Sequence, residues 1–173
     1  MISTSNIEQA KKEIARLRQA SGASLRKQDA RTHPISLQKL PGSSGEKHPI
    51  IIESQTPEFD RAILEYGKFQ VLLSPEKNGK KDKPKQLDSG LNHVLANISE
   101  KNNVSIGINL EEISKLDKKS KAIRLARIKQ NIKILRKSKT KLAILYNSDK
   151  KNAVNLLLSL GASTQQTKET ITF

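Results

Sequence analysis

The 173-residue sequence contains no cysteine, no tryptophan and few other aromatic residues, with only three Phe and two Tyr. The absence of cysteine excludes disulfide bonds, thiolate zinc sites and cysteine nucleophiles. The shortage of aromatic side chains argues against a surface on which the bases of a single-stranded nucleic acid would stack. No apolar run approaches the roughly 18 residues of a membrane span, and no signal-peptide core starts the chain, so we expect a soluble, cytoplasmic protein.

Acidic residues are scarce relative to basic ones. The chain has 32 Lys and Arg against 17 Asp and Glu, which leaves a formal net charge of +15. Such an excess favours a polyanionic partner, and nucleic acid is the commonest one. The alternatives are a lysine-rich solvated surface and an adaptation to high growth temperature.

The chain divides into an N-terminal segment, residues 1–48, and a regular α/β region, residues 49–173. Within the first segment, residues 5–20 predict an amphipathic helix, because apolar side chains recur there at helical spacing. Residues 21–48 have little periodicity and predict a flexible linker, with at most a short strand near 35–40. The apolar positions of the helix are Ile7, Ala10, Ile14 and Leu17.

From residue 49 onward, strands and helices are predicted to alternate. The strands are short apolar runs at 49–54, 69–75, 104–110 and 141–148, and the helices lie at 56–67, 90–101, 118–138 and 150–161. Alternation of this kind implies parallel strands joined by right-handed crossovers, either covered by helices or enclosed in a barrel. Four such units are half of an eight-stranded barrel.

Local end signals support these helices. Thr56 is predicted to cap the second helix, with Pro57 in its first turn and Gly67 at its end. Asp88 or Ser89 is predicted to cap the third helix. Ser163 and Gln166 match a capping box that starts a last short helix.

The lysine loop, residues 76–89, follows the C-terminal end of a predicted strand, where α/β folds gather their binding residues. It lacks the Gly-x-x-x-x-Gly-Lys-Ser/Thr pattern of a nucleotide-triphosphate loop. It is interpreted either as a solvated loop or as a segment that contacts phosphates. Its lysines are Lys77, Lys80, Lys81, Lys83 and Lys85.

The long helix lies in a second basic segment, residues 115–141, in which twelve Lys and Arg are opposed only by Asp117. This density favours contact with RNA or DNA over a merely solvated face, because the charges repel one another unless an anion compensates them. A helical wheel predicts a buried stripe of Leu125, Ile128, Ile132 and Leu135. Arg124, Arg127 and Asn131 flank the stripe on one side, and Lys129, Lys133 and Arg136 flank it on the other.

The sequence assigns no catalytic or metal-ligating residue. His93, next to Asn92 at the start of a helix, has no nucleophile or second ligand nearby in the sequence and is interpreted as architecture. Glu111 and Glu112 follow the third strand. No second strand ends in matching acids, although Glu53 lies in the first strand and Asp149 follows the fourth, so a hydrolytic metal centre is disfavoured.

Several segments also resemble a known family in their order and spacing. They are Ser74-Pro75, the loop residues Asn78, Lys80, Lys81 and Asp82, the stretch Gly90-Leu91-Asn92-His93-Val94-Leu95-Ala96, then Asn102-Asn103-Val104 and Ile106-Gly107-Ile108, followed by Lys121-Ala122, Asn131 and the closing Leu157-to-Ala162 pattern. From about residue 49 to residue 170 the chain resembles protein component 3 of archaeal and eukaryotic ribonuclease P.

The resemblance implies a distorted (β/α) TIM-type barrel of parallel strands, without the metal centre of related phosphoesterases. The barrel is expected to be incomplete, because the strands that family members carry before residue 49 are missing. The resemblance also implies a function: support of an RNA that, with magnesium, removes the 5′ leader from precursor tRNA. Ribonuclease P RNA, precursor tRNA, a small ferredoxin-like subunit and a second copy of the chain are the expected partners.

The chain alone is therefore expected not to be catalytic and to bind no cofactor itself. The predicted RNA contacts are Lys80, Lys81, Lys83 and Lys85 in the lysine loop and Arg124, Arg127, Lys129 and Lys133 in the long helix. Two alternatives stay open: a metal-dependent phosphoesterase on a related barrel, and a scaffold that contacts only proteins.

Overall fold

The fold is built on a sheet of five parallel strands in the order β1-β2-β3-β4-β5. The structure, a computed structural model, describes residues 4–20, 49–78, 87–145 and 149–172. The strands are β1 (Ile51–Glu53), β2 (Val71–Leu73), β3 (Ser105–Asn109), β4 (Leu142–Leu145) and β5 (Ile171–Thr172).

Helices connect the strands and also precede the sheet. They are α1 (Thr4–Ala20), α2 (Pro57–Tyr66), α3 (His93–Lys101), α4 (Leu110–Lys115), α5 (Lys118–Ser138), α6 (Lys150–Ser159) and α7 (Thr164–Lys168), and a 3-10 turn (Pro75–Asn78) follows β2. The predicted strand–helix alternation and parallel pairing are confirmed.

Both faces of the sheet are apolar, as expected for parallel strands whose faces are both covered. Alternate residues such as Ile52, Leu72 and Ile106 join the large core formed with the helices. The intervening residues form a second buried cluster on the opposite face. That cluster comprises Ile51, Val71, Leu73, Ala143 and Leu145.

The consecutive strand order is the order of a (β/α) barrel, but the described sheet is open. β1 pairs with β2 and β5 pairs with β4, and no pairing in the described part of the chain joins β1 to β5. The α/β class is therefore confirmed, whereas the described strands form an open sheet and not a closed barrel.

The sequence predicts neither β5 nor α4. β5 is only two residues long, and it owes its existence to pairing with β4. The predicted third strand also extends one residue too far, because Asn109 ends it. The Asn109 side chain accepts a hydrogen bond from the Glu112 backbone N–H at 3.1 Å and so starts α4.

The predicted ends of α2 and α7 are confirmed. The Thr56 side chain accepts from the backbone of Phe59, and Gly67 ends α2 with a left-handed φ of 63°. Ser163 and Gln166 form the capping box of α7.

The predicted cap of α3 is wrong. Asn92, not Asp88 or Ser89, is the N-cap, and its Oδ1 accepts from the Leu95 N–H at 2.8 Å. The helix consequently begins at His93, three residues later than predicted. Asp88 instead accepts from the Gly90 N–H at 3.0 Å and stabilises the turn before the helix.

The predicted N-terminal helix is confirmed as α1, and it belongs to the main core. Ala10 and Ile14 are fully buried there, and Ile7 packs against them. The Tyr66 hydroxyl of α2 donates to the Lys11 carbonyl oxygen at 3.5 Å. The predicted linker 21–48, including the proposed boundary at residue 48, lies outside the described residues.

Candidate nucleic-acid interface

The carboxyl ends of β1, β2 and β3 bring charged side chains together. Lys77, in the turn after β2, places its Nζ 2.7 Å from Glu53 Oε1 at the end of β1 and 3.2 Å from Glu112 Oε1 after β3. Glu53, which the sequence places within the first strand, ends β1, and the parallel register carries it to the same edge as Glu112. The prediction that no second strand ends in an acid is therefore wrong.

Arg124 of α5 extends this group into the interior. Its Nε lies 3.4 Å from Glu76 Oε1 and its Nη1 lies 3.3 Å from Glu112 Oε1. Only 1% of the Glu76 surface and 8% of the Arg124 surface are exposed. We call Glu53, Glu76, Lys77, Glu112 and Arg124 the strand-end cluster.

In the strand-end cluster, burial disfavours the ionised form of the carboxyl groups, whereas the nearby cations favour it. Burial raises the pKa of Glu76, and the nearby Arg124 guanidinium offsets this only in part. Burial also works against ionisation of Glu112, but the charges of Arg124 and Lys77 hold the pKa of Glu112 below its ordinary value. The hydrogen bond to Glu53 raises the pKa of Lys77 despite partial burial. Lys77 and Arg124 are therefore the counter-ions of the strand-end carboxylates.

In the described part of the chain, no group of three or more His, Asp or Glu side chains is placed to hold a metal ion. The acids at the strand ends instead face internal cations. Glu111, next to Glu112, pairs with Lys115 at 2.5 Å.

No described helix is long and apolar enough to cross a membrane.

Both ends of the lysine loop are held against the inner face of α5. Arg127 Nη1 donates to the Glu76 carbonyl oxygen at 3.2 Å, and Asn131 Nδ2 donates to the Ser89 carbonyl oxygen at 3.1 Å. The chain returns close to its starting point, because a Cβ on Gly90, whose φ is +72°, would overlap the carbonyl oxygen of Pro75. Arg127 and Asn131 are one helical turn apart, so α5 fixes where this loop leaves and rejoins the fold.

The central lysines of this loop fall outside the described residues. Lys80, Lys81, Lys83 and Lys85 therefore stay predictions as RNA contacts. Lys77, the one loop lysine in the described part, bridges Glu53 and Glu112.

The structure separates the cations of α5 and its flanks into two kinds. Some are tied to the protein: Lys121 Nζ donates to the Ser114 carbonyl oxygen at 3.0 Å, and Arg136 donates to the Gly161 carbonyl oxygen and to Gln166. Arg124 and Arg127 belong to this kind as well. The others are exposed and have no ion pair or hydrogen bond through their side chains within the described residues. They are Lys118, Lys119, Lys129, Lys133, Lys137, Lys139 and Lys141.

The predicted contacts in α5 therefore differ in accessibility. Lys129 and Lys133 are exposed, Arg127 is partly buried, and Arg124 is buried. The helical wheel is confirmed for Ile128, Ile132 and Leu135, which are buried, and wrong for Leu125, which is only partly buried. It also placed Arg124 and Asn131 beside the buried stripe, whereas both are buried with it. The sequence pattern could not reveal this, because the partners that compensate Arg124 and Asn131 come from residues 76 and 89.

The start of α5 is set by an exposed acid. Asp117 Oδ2 accepts from the backbone of Lys119 at 3.0 Å and of Ser120 at 3.1 Å. Hydrogen bonds from Ser120 hold the pKa of Asp117 below its ordinary value. Asp117 is thus the N-cap of the basic helix, a role that an Asp directly before a helical pattern can signal.

Asn92 of the pair Asn92–His93 has a structural role, because its side chain caps α3. The His93 side chain is exposed in the first turn.

No protein-family model matches the chain. Over 104 residues, 60% of this chain and 42% of the relative, the sequence is 28% identical to ribonuclease P protein component 3 of Methanocaldococcus jannaschii. The fold is similar to that of a chain in the cryo-EM structure of archaeal ribonuclease P with mature tRNA. The TM-score is 0.60 at 22% identity, covering 71% of this chain and 53% of that chain. The chain thus spans about half the length of the proteins that it matches.

Proposed function

We propose that the chain is a protein subunit of ribonuclease P that supports RNA-catalysed removal of the 5′ leader from precursor tRNA. The observation that carries the proposal is the similarity to ribonuclease P protein component 3 over 104 residues. The shared fold with a chain of an archaeal ribonuclease P assembly supports it. The chain matches only about half of its relatives' length, and the proposal assigns it a role in the whole activity.

The charge distribution gives the proposal a physical basis. A formal net charge of +15 favours a polyanionic partner, and phosphate contacts supply most of the affinity of such proteins for nucleic acid. Lys129 and Lys133 on α5 are accessible for this purpose, and Lys80, Lys81, Lys83 and Lys85 in the lysine loop complete the proposed contact set. Arg124 and Arg127 are assigned a positioning role, because both bind Glu76 and so hold the N-terminal end of that loop to the helix.

In this proposal the chemistry belongs to the RNA and its magnesium ions, and the chain itself binds no cofactor. The chain neutralises backbone charge, so that the active RNA fold and the bound precursor tRNA cost less electrostatic free energy. A small ferredoxin-like subunit and a second copy of the chain are the proposed protein partners. The cytoplasm is the proposed location.

The test is reconstitution of the cognate RNA and the remaining protein subunits, assayed on precursor tRNA at low magnesium with and without this chain. Leader removal is expected to depend on the chain, while the chain alone cleaves nothing. If omission of the chain leaves the rate unchanged at every magnesium concentration, the proposal is wrong.

A matched pair of variants connects the activity to α5. Lys129→Gln/Lys133→Gln is expected to raise the magnesium concentration needed for half-maximal activity. Lys150→Gln/Lys151→Gln, which removes the same charge from exposed positions on α6, is expected to leave it near the wild-type value. Equal effects of the two pairs would show that only net charge matters.

The phosphoesterase alternative predicts a different result in two assays. Metal analysis of the purified chain would find manganese or zinc in stoichiometric amount, and the chain alone would hydrolyse a generic phosphoester. The scaffold alternative predicts association with the small subunit that is insensitive to salt, together with no RNA binding.

A further inference from the structure

Three of the exposed lysines of α5 form a regular series. Lys129, Lys133 and Lys137 recur every four residues, and all three are exposed. An α-helix rises 1.5 Å per residue, so neighbouring members are about 6 Å apart along the axis. Lys141 follows at the same spacing in sequence, just beyond the end of the helix, and it is also exposed. We call Lys129, Lys133 and Lys137 the lysine row.

The lysine row is distinguished from its neighbours by the absence of internal partners. Lys115, Lys121 and Arg136 are all engaged by nearby protein oxygens. Within the described residues, no carboxylate or carbonyl oxygen binds a lysine of the row. Three like charges on successive turns of one helix repel each other, so a row of this kind is stabilised by an external anion with a matching repeat.

The lysine row lies on a helix that is anchored in the core. On the opposite side of α5, Ile128, Ile132 and Leu135 are buried in the main core. Asn131 bonds to the Ser89 carbonyl oxygen at 3.1 Å. The spacing of the lysine Cα atoms is therefore set by the fold, and only the side-chain stems adapt.

We infer that the lysine row lies along the phosphodiester backbone of one strand of double-stranded RNA, with one lysine for each of three consecutive phosphates. This inference rests on the proposed function, which identifies the polyanion as RNA. The repeat of about 6 Å is close to the separation of neighbouring phosphates along one strand. A duplex holds its phosphates at a constant repeat, and a rigid row gains most from a ligand that is rigid at the same spacing.

The described aromatic residues favour a duplex over an unpaired strand. Phe59 and Phe69 are buried, and Tyr66 lies on α2, where Lys11 and Lys68 are 6.0 Å and 5.2 Å from the centre of its ring. No aromatic side chain in the described part of α5 is available for stacking with a base. Recognition of unpaired RNA depends on such stacking, whereas recognition of a duplex depends on shape and backbone contacts.

The experiment compares two RNA probes with the same number of phosphates, a stable hairpin and an unstructured strand. The variant Lys129→Gln/Lys133→Gln/Lys137→Gln is expected to lose at least about tenfold in hairpin affinity. The log–log slope of that affinity against salt should become shallower by about two to three, close to one unit for each lost phosphate contact. The loss of affinity for the unstructured strand should be several-fold smaller.

Two control variants separate the row from net charge. Lys118→Gln/Lys150→Gln/Lys151→Gln removes three exposed positive charges outside the row and is expected to change hairpin affinity less than threefold. Lys133→Gln/Ala122→Lys keeps the charge of α5 but interrupts the row, and it is expected to lose part of the hairpin affinity. All the substituted side chains are exposed, so circular dichroism and thermal unfolding should match the wild type.

Equal losses of affinity in the row variant and the three-charge control would overturn the inference, as would equal losses for the hairpin and the unstructured strand. The reconstituted processing assay keeps this result separate from the proposed function. If processing depends on the chain but the row variant binds the hairpin normally, the row is wrong and the proposed function stands. If the row binds duplex RNA but processing does not need the chain, the proposed function is wrong.

Discussion

At the scale of single residues, the buried carboxyl group of Asp60 in α2 binds the segment that follows β1. The Ser54 hydroxyl donates to Asp60 Oδ2 at 2.5 Å, and the Gln55 backbone N–H donates to Oδ1 at 3.1 Å. Only 1% of the residue surface is exposed. Burial raises the pKa of Asp60 to about 6, although the hydrogen bonds from Ser54 and Gln55 lower it. The two hydrogen bonds favour the ionised carboxylate, but burial outweighs them, so the folded state is more stable when Asp60 is protonated.

This pKa predicts how the stability depends on pH. The folded protein binds the Asp60 proton more tightly than the unfolded chain, whose carboxyl has a pKa of 3.8. The contribution is thus present below about pH 4 and is lost as the pH rises to about 6, by at most about 3 kcal/mol. Asp60→Asn imitates the neutral carboxyl and does not titrate. The free energy of unfolding of the wild type minus that of the variant should fall between these pH values.

Urea unfolding of both proteins at several pH values measures this difference. Other titrating groups, including Glu76, contribute equally to both proteins and cancel when the groups are independent. A difference that stays constant from pH 4 to pH 7 would contradict the raised pKa.

Residues of the candidate site differ in how well their sequence context predicts them. Lys129 and Lys133 are exposed as the wheel predicts, because the polar side of an amphipathic helix is a local property. Arg124 could not be predicted, since a charged residue is buried only when a distant chain segment supplies its counter-ion, here Glu76. Asn92 was missed as a cap because Asp88 and Ser89 are equally good cap residues, and only the turn at Gly90 decides between them.

At the scale of elements, the ends of helices were predicted well where the signal is short-range. Thr56 with Gly67, and Ser163 with Gln166, each specify an end of a helix from residues within a few positions. β5 could not be predicted in the same way. Two residues carry no periodicity, and their strand conformation comes from pairing with β4.

The attachment of α5 to the end of β2 depends on the Arg124–Glu76 pair. Arg124→Met would leave the Glu76 carboxylate buried without its guanidinium, which is expected to destabilise the fold by about 3–5 kcal/mol. Arg124→Met/Glu76→Met removes both charges and should restore most of that loss, because the hydrogen bond from Arg127 to the Glu76 backbone remains. Chemical denaturation of the two single variants and the double variant gives the coupling energy.

Lys129→Met on the exposed side of α5 is the matched control and should change the free energy of unfolding by no more than about 0.5 kcal/mol. Additive losses in the single and double variants would mean that the pair does not hold α5 to β2.

At the scale of the whole molecule, the fold is an open sheet whose helix-covered face includes a helix from the N-terminal segment. Within the described residues β1 and β5 each pair on one side only, and proteins usually cover such sheet edges by further pairing or by a partner. The change in composition near residue 48 divides the sequence into residues 1–48 and 49–173, but it does not predict whether the first segment packs on the second. Composition does not reveal packing, and Ile14 of α1 is as fully buried as the strand residues Ile52 and Leu142.

The contribution of α1 to the main core can be measured through its most buried side chain. Ile14→Ala removes three carbon atoms from a site with 1% exposure, and a cost of about 2–5 kcal/mol is typical of such a truncation. Because the cavity opens in the core shared with β1, β2 and β3, amide hydrogen exchange should accelerate throughout those strands and not only in α1. Lys12→Ala, at an exposed position on the same helix, should leave strand exchange unchanged. If Ile14→Ala accelerated exchange in α1 alone, α1 would be a separately unfolding attachment, and the strands would owe their stability to residues 49–172 without it.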